Sequence, residues 1–268
     1  MIRFIGLLGY WFNNFLISFI EIFSIVALFI RYFPLSLSSK YHNRAIFFES
    51  FLNAVYQTGI RTLYVTSIIS ILFGLFISLQ IINYVNININ NLEAFVNLLI
   101  IFVIHEIGPL VSGIILILRA TSFIAVRLSL MEVNDEYEVL KSFGINPIVF
   151  IVTPILSAFP LSLLAIIFYF DFLSISASYF ILFIQNNTIE FGYFWKILLL
   201  KIGNIEIVIT LLKAMIGGIL IGAISILFSQ KVEKKFSKIA NSVATSITSA
   251  TIVFIIINFV ISLIGYLV

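Results

Sequence analysis

AFVNLLIIFVIHEIGPLVSGIILIL, residues 94–118, is an apolar run of 25 residues interrupted by His105, Glu106 and Pro109. A helix needs about 20 apolar residues to cross the ~30 Å hydrocarbon core of a bilayer. The run is long enough to be such a span, and His105 and Glu106 fall near its middle. An ionisable side chain at that depth costs roughly 3 kcal/mol or more unless it is paired or hydrated, so it marks a candidate functional position.

The rest of the chain has the same character. Of the 268 residues, 62% are hydrophobic and 10% charged, against about a quarter charged in a soluble domain. Such a chain cannot cover a water-facing surface, and the expected class is an all-α integral membrane protein. Five long apolar runs mark spans at about 62–82, 94–118, 148–170, 205–228 and 243–267. Pro154 and Pro160 are expected to kink the third, Lys213 lies inside the fourth, and Asn258 inside the fifth.

Residues 1–45 are apolar but broken by Arg3, Asn13, Asn14, Glu21, Arg31, Pro34 and Lys40, with dense aromatics. This pattern fits a helix lying in the membrane interface; the rival reading is a span over 15–33 with Glu21 buried. The semi-apolar segment 171–204 is read as a far-side connection, with a short surface helix and an interfacial aromatic cluster at Tyr193, Phe194 and Trp195. No internal repeat stands out, so 1–268 is taken as one membrane domain.

The cations sort by loop. Arg31, Lys40, Arg44 and Arg61 precede the first span. Arg119, Arg127 and Lys141 accompany the second loop, and Lys231, Lys234, Lys235 and Lys238 fill the 229–240 loop. Asn83–Asn91 and Asp171–Glu190 carry none, and Lys196 and Lys201 are the exceptions. The positive-inside rule puts the N-terminus and the loops 119–146 and 229–240 in the cytoplasm. No removable signal peptide is expected.

Several chemistries are poorly supplied. His105-Glu106 opens the zinc-protease pattern H-E-x-x-H, but Pro109 stands where the second histidine is required, and the other histidine, His42, is remote. Cysteine is absent, which removes thiolate nucleophiles and disulfides. No G-x-x-x-x-G-K-[ST] loop is present, so any ATP would be bound by another subunit. No basic block with interleaved aromatics suggests nucleic acid. Neither a catalytic residue nor a metal ligand is expected, and no cofactor bound by this chain.

Polar groups within the spans are therefore the candidates. Glu106, Pro109 and Gly113 fall near one helix face, and Lys213 shares a face with Gly217, followed by Gly218-x-x-x-Gly222. A Glu106–Lys213 pair across two spans would neutralise both charges, either fixing helix register or lining a cavity for a charged headgroup. Arg119 and Arg127, eight apart, are either interfacial anchors or headgroup contacts. The patch 132–141 carries Glu132, Asp135, Glu136 and Glu138 against Lys141. The spacing of Val133, Tyr137 and Leu140, with Gly144 as a stop, predicts a short amphipathic helix, which is either a solvated loop or a contact for a cytoplasmic motor.

Taken together, Glu106-Ile-Gly-Pro109, Arg119, Met131 with Glu136, and Leu140-x-x-x-Gly144-x-Asn-Pro147 followed by Pro154 resemble the MlaE-type (YrbE-type) permease, the membrane subunit of MCE-associated lipid ABC transporters. The likeness is strongest over 103–155, and the layout of spans extends it across nearly the whole chain. It implies a homodimeric permease with an interfacial N-terminal helix and five spans, in the bacterial inner membrane or a plastid inner envelope. It implies a cytoplasmic ABC ATPase that holds ATP and Mg, an MCE-domain protein on the opposite face, and phospholipid between two permease copies. Under the resemblance, His105, Glu106, Pro109, Arg119, Lys213 and Asn258 are lipid-cavity candidates. Glu132, Asp135, Glu136, Glu138, Leu140, Gly144 and Pro147 form the ATPase-coupling segment 131–147. An ion- or proton-coupled carrier using Glu106 and His105 is the alternative. The chain departs from the family pattern at His105 (usually Arg), Leu118 (Gly), Val126-Arg127-Leu128-Ser129 (A-E-x-G) and Asn258 (an acid), while Lys213 matches a lysine of some relatives.

Overall fold

A computed structural model describes residues 20–36, 43–85, 92–185, 189–232 and 235–267. Among these residues the regular structure is entirely helical. Five helical stretches are long and apolar enough to cross a membrane: Arg44–Tyr84, Leu92–Val133, Ile148–Gln185, Asn204–Gln230 and Phe236–Gly265. The first four contain their apolar runs and extend beyond them, and the fifth, Phe236–Gly265, starts before its run, because helix continues past the hydrocarbon boundary wherever nothing breaks it. Of the segment read as an interfacial helix, residues 1–19 and 37–42 lie outside the described residues. Residues 20–36 form a helix.

The third span also runs well past its apolar pattern. It runs unbroken from Thr153 to Gln185 with Pro160 inside it, past the Phe170 end expected from hydropathy. Asp171 is thus an interior helical residue and not the start of a connection. The far-side helix is present as Phe191–Lys201, but its aromatics divide: Phe194 is fully buried while Tyr193 is exposed.

Two prolines are absorbed by widened helical turns. Ile100–Ile107 and Ile148–Val152 have π geometry, and each ends one residue before an X-Pro pair, Gly108-Pro109 and Thr153-Pro154. Gly108 N–H bonds to the Val103 carbonyl and Thr153 N–H to the Ile148 carbonyl, five residues back. A proline lacks the N–H and its ring collides with the carbonyl four residues earlier. An extra residue per turn gives the ring room without breaking the helix.

The chain falls into two compact units. The first comprises 1–54, 121–158 and 219–250. Within it Phe33 packs edge-on against Phe47, Ser225 Oγ donates to Thr121 Oγ1 at 3.1 Å, and Lys231 forms an ion pair with Glu21.

The second unit comprises 55–120, 159–218 and 251–268. Its apolar core gathers Phe95, Val96, Leu99, Val103, Leu182, Phe194 and Leu198. The first and third spans run parallel here, joined by a seam of small polar residues at a nearly constant offset. Thr58 bonds Ser162 at 2.7 Å and Ser67 bonds Tyr169 at 2.8 Å. Ser174 Oγ donates to the Ser70 carbonyl at 2.9 Å and Ser178 Oγ to the Gly74 carbonyl at 3.0 Å. Apolar side chains gain nothing from leaving lipid for one another, so close approach of small residues and interhelical hydrogen bonds hold such a pair together. Gly74 permits it: a Cβ there would lie 2.2 Å from the Ser174 carbonyl oxygen.

Gly74→Ala must therefore push two helix backbones apart, and we expect a loss of about 1–3 kcal/mol, read as a lower melting temperature of the detergent-solubilised protein. Gly192→Ala, where a Cβ meets nothing within 4 Å, should leave that temperature nearly unchanged.

Candidate functional site

Pro109 sets up the site. It has no N–H, so the α-helical donor that would serve the carbonyl four residues back, that of His105, is missing. A carbonyl without a partner inside a span costs several kcal/mol. Lys213, from the fourth span and only 2% exposed, fills the vacancy: its Nζ donates to the His105 carbonyl oxygen at 2.5 Å. One contact thus satisfies both a stripped carbonyl and a buried ammonium.

Around this contact three more carboxyls gather. Glu106 and Asp171 both act electrostatically on Lys213. Glu106 itself accepts a hydrogen bond from Ser262 Oγ at 3.3 Å, so the fifth span reaches it. His105 Nε2 stands 3.7 Å from Glu206 Oε1. The Glu106–Lys213 relation inferred from depth is present as a charge–charge neighbourhood, while the lysine's hydrogen bond goes to the backbone beside Glu106.

The fifth span docks through one helical face, Phe254, Asn258 and Ser262. The Phe254 ring lies where Cβ atoms on Gly113 and Gly217 would stand, 2.1 and 2.7 Å away; these glycines on the second and fourth spans form its slot. Asn258 lies one turn from each of its face-mates. It is 2% exposed and its Oδ1 has no hydrogen-bond partner among the described residues. Of the six candidates, His105, Glu106, Pro109, Lys213 and Asn258 thus belong to one neighbourhood. Arg119 does not: it is exposed and stands about 20 Å along the second span from His105, at 1.5 Å per residue.

Asp171, Glu206 and Ser262 were not singled out by the sequence. Asp171 left the clearest signal, being the one charged residue in 148–189. Glu206 looked like an ordinary acid in the first turn of a helix, and Ser262 like a small residue in an apolar run. Among the described residues no group of three or more acids and histidines could hold a metal ion.

The acidic segment lies in the other unit. Glu136–Ser142 is helical, with Tyr137 buried and Leu140 half-buried, as the spacing predicts. Asp135 enters it with φ 58° and Gly144 leaves it with φ +74°. Gly144 N–H bonds the Lys141 carbonyl and Ile145 N–H the Leu140 carbonyl, the paired bonds of a glycine-terminated helix end. Asn146 Oδ1 then accepts the Ile148 N–H at 3.0 Å, capping the next helix with Pro147 at its start. Burial, with Glu132 and Glu136 adding to it, pushes the Tyr137 phenol well above its ordinary range. Glu132, Tyr137, Glu138, Lys141, Asn146 and Pro147 border a groove of about 340 Å³. Phe143, 75% exposed, projects beside the acids.

Two substitutions probe these local arrangements. Lys213→Met should destabilise the protein strongly, and adding Pro109→Ala, which restores the main-chain donor to His105, should recover part of the loss in a thermal unfolding series. Gly144→Ala forces a Cβ into the left-handed region and should cost about 1 kcal/mol, measured the same way.

A comparison with curated proteins gives no match. The family profile Permease MlaE matches residues 51–264, well over half of the chain and inclusive of every candidate residue above. With five apolar spans and the 105–109 and 132–147 segments inside that match, the chain belongs to the MlaE permease family.

Proposed function

We propose that this chain is the membrane-spanning subunit of an ABC-type lipid transporter, moving phospholipid between its membrane and an MCE-domain partner. The observation that carries this reading is the buried Lys213 beside the half-buried His105 and Glu106 inside the spans of an MlaE-family chain. Charges at that depth are costly unless used, and a phospholipid supplies both a phosphate for Lys213 and an amine for Glu106. Asn258 and its neighbours on the fifth span would complete the wall toward a second copy of the chain in a homodimer. The membrane is the bacterial inner membrane, with the N-terminus and the acidic segment cytoplasmic.

ATP and Mg belong to a separate ATPase, since this chain has no phosphate-binding loop. Its docking site is the 131–147 segment. Glu132, Asp135, Glu136 and Glu138 supply charge for steering, and exposed Val139 and Phe143 supply apolar contact, the division of labour expected at an interface rim and centre. Closure of the ATPase would press on this rigidly capped helix.

Co-expression with the cognate ATPase tests the coupling. Glu138→Lys and Gly144→Pro should each abolish co-purification without unfolding the permease; retention of the ATPase by both would refute the docking site. Mass spectrometry of the purified wild type should find bound phospholipid, reduced at least about tenfold by Glu106→Gln with Lys213→Met. Transport by the isolated chain on an ion gradient would instead support a carrier built on Glu106 and His105.

A further inference from the structure

A second concave site lies within the first unit, where the fourth span ends and the fifth begins. Lys231, just past the fourth helix, and Lys238, in the first turn of the fifth, both line a cavity of about 220 Å³. A water takes up roughly 30 Å³ of liquid, so a phosphate group fits. Asn241, Ser242 and Thr245 continue the wall, and with Lys238 they stand at i, i+3, i+4 and i+7 on one helix face. Phe228 and Val232 close the apolar side. The last carbonyls of a helix have no donor of their own. Ser242 Oγ supplies one to the Phe228 carbonyl at 2.6 Å and so ties the two helices together at the pocket. Lys231 is held by Glu21 and lies over the Phe228 ring, 5.9 Å from its centroid.

The electrostatics of the pocket are one-sided. A helix start carries partial positive charge and favours acids. The turn 236–238 holds no acid, follows Lys235 at the N-cap, and receives no side-chain cap. Lys231 and Lys238 add to that field. An ammonium has three N–H donors, and Glu21 takes one from Lys231. Lysines that only anchor a loop snorkel toward headgroups and need no polar wall; these two share one. We propose that the pocket binds a phosphate group, that of an anionic phospholipid headgroup in the leaflet at this end of the spans. Phe228 ends the fourth apolar run, which puts the pocket at headgroup depth, where basic pockets between spans take such headgroups. Phe228 and Val232 suit the glyceryl ester end of a lipid. The pocket lies in the other unit from Glu106 and Lys213, and it does not depend on the identity of the transported molecule.

The chain has no cysteine, so Ser237→Cys, at an exposed position beside the pocket, takes a single fluorescent label. The labelled full-length permease is placed in phosphatidylcholine nanodiscs with a rising fraction of phosphatidylglycerol that carries a nitroxide near its headgroup. Salt is held at about 0.5 M, where the Debye length is roughly 4 Å and diffuse attraction is screened. Quenching should saturate with phosphatidylglycerol, and spin-labelled phosphatidylcholine should not reproduce it. Lys231→Gln and Lys238→Gln should each raise the half-saturating fraction at least about fivefold. Lys235→Gln, outside the pocket, should leave it unchanged. The three lysines are exposed, so these variants are expected to fold. Glu21→Gln keeps both pocket lysines, releases Lys231, and should lower the half-saturating fraction about twofold, a gain that misfolding cannot mimic. Equal losses from Lys235→Gln, equal quenching by the two lipids, or quenching without saturation would overturn the site. Displacement of the lipid by millimolar inorganic phosphate, with the same lysine dependence, would overturn the lipid assignment in favour of soluble phosphate.

Discussion

The hydrogen bond from Lys213 to the His105 carbonyl is the contact on which the buried site depends. It exists because Pro109 strips that carbonyl of its helical donor and because a bilayer offers no water to replace it. The widened turn before Gly108 lets the proline stand in the helix, and the ammonium of another span completes the backbone. The cost of burying Lys213 and the cost of a carbonyl that lacks its α-helical donor thus offset each other. Removing either group alone leaves the other exposed to the full penalty.

Small residues decide how near the helices come. Gly74 lets the first and third spans touch backbone to backbone, and the serines along that seam donate across the gap. Gly113 and Gly217 leave a slot for Phe254, which sets the register that carries Ser262 to Glu106. Gly108 leaves a place for the Asp171 carboxyl. In each case the absent side chain matters more than any side chain present. At Gly74 and Gly108 a polar group uses the space, and at Gly113 and Gly217 an aromatic ring does.

The acidic segment follows a different logic. It lies outside the spans, where charge is cheap, and its order comes from local rules: a left-handed entry at Asp135, a glycine-terminated exit at Gly144, and an Asn-Pro cap at Asn146 and Pro147. Tyr137 is drawn into the protein, with Leu140 half-buried beside it. The short helix is held at both ends while Glu136, Glu138 and Phe143 face outward.

Those differences explain what was legible. The sequence by itself determined the membrane class, the five spans, the family and the capped acidic helix, because each depends on hydrophobicity, spacing or turn chemistry within a few residues. It also marked His105, Glu106, Pro109, Lys213 and Asn258, since a polar residue in an apolar run is conspicuous wherever it ends up. It did not mark Asp171, which sits where hydropathy places the end of a span, and it grouped Arg119 with residues about 20 Å away along the same helix. Only the tertiary structure decided that the third helix runs through Asp171, that Lys213 serves a backbone carbonyl beside Glu106, and that Gly108 makes room for a carboxyl. Those contacts join residues more than 60 positions apart, and which buried charge meets which depends on how glycines let the spans approach, a quantity no local pattern records.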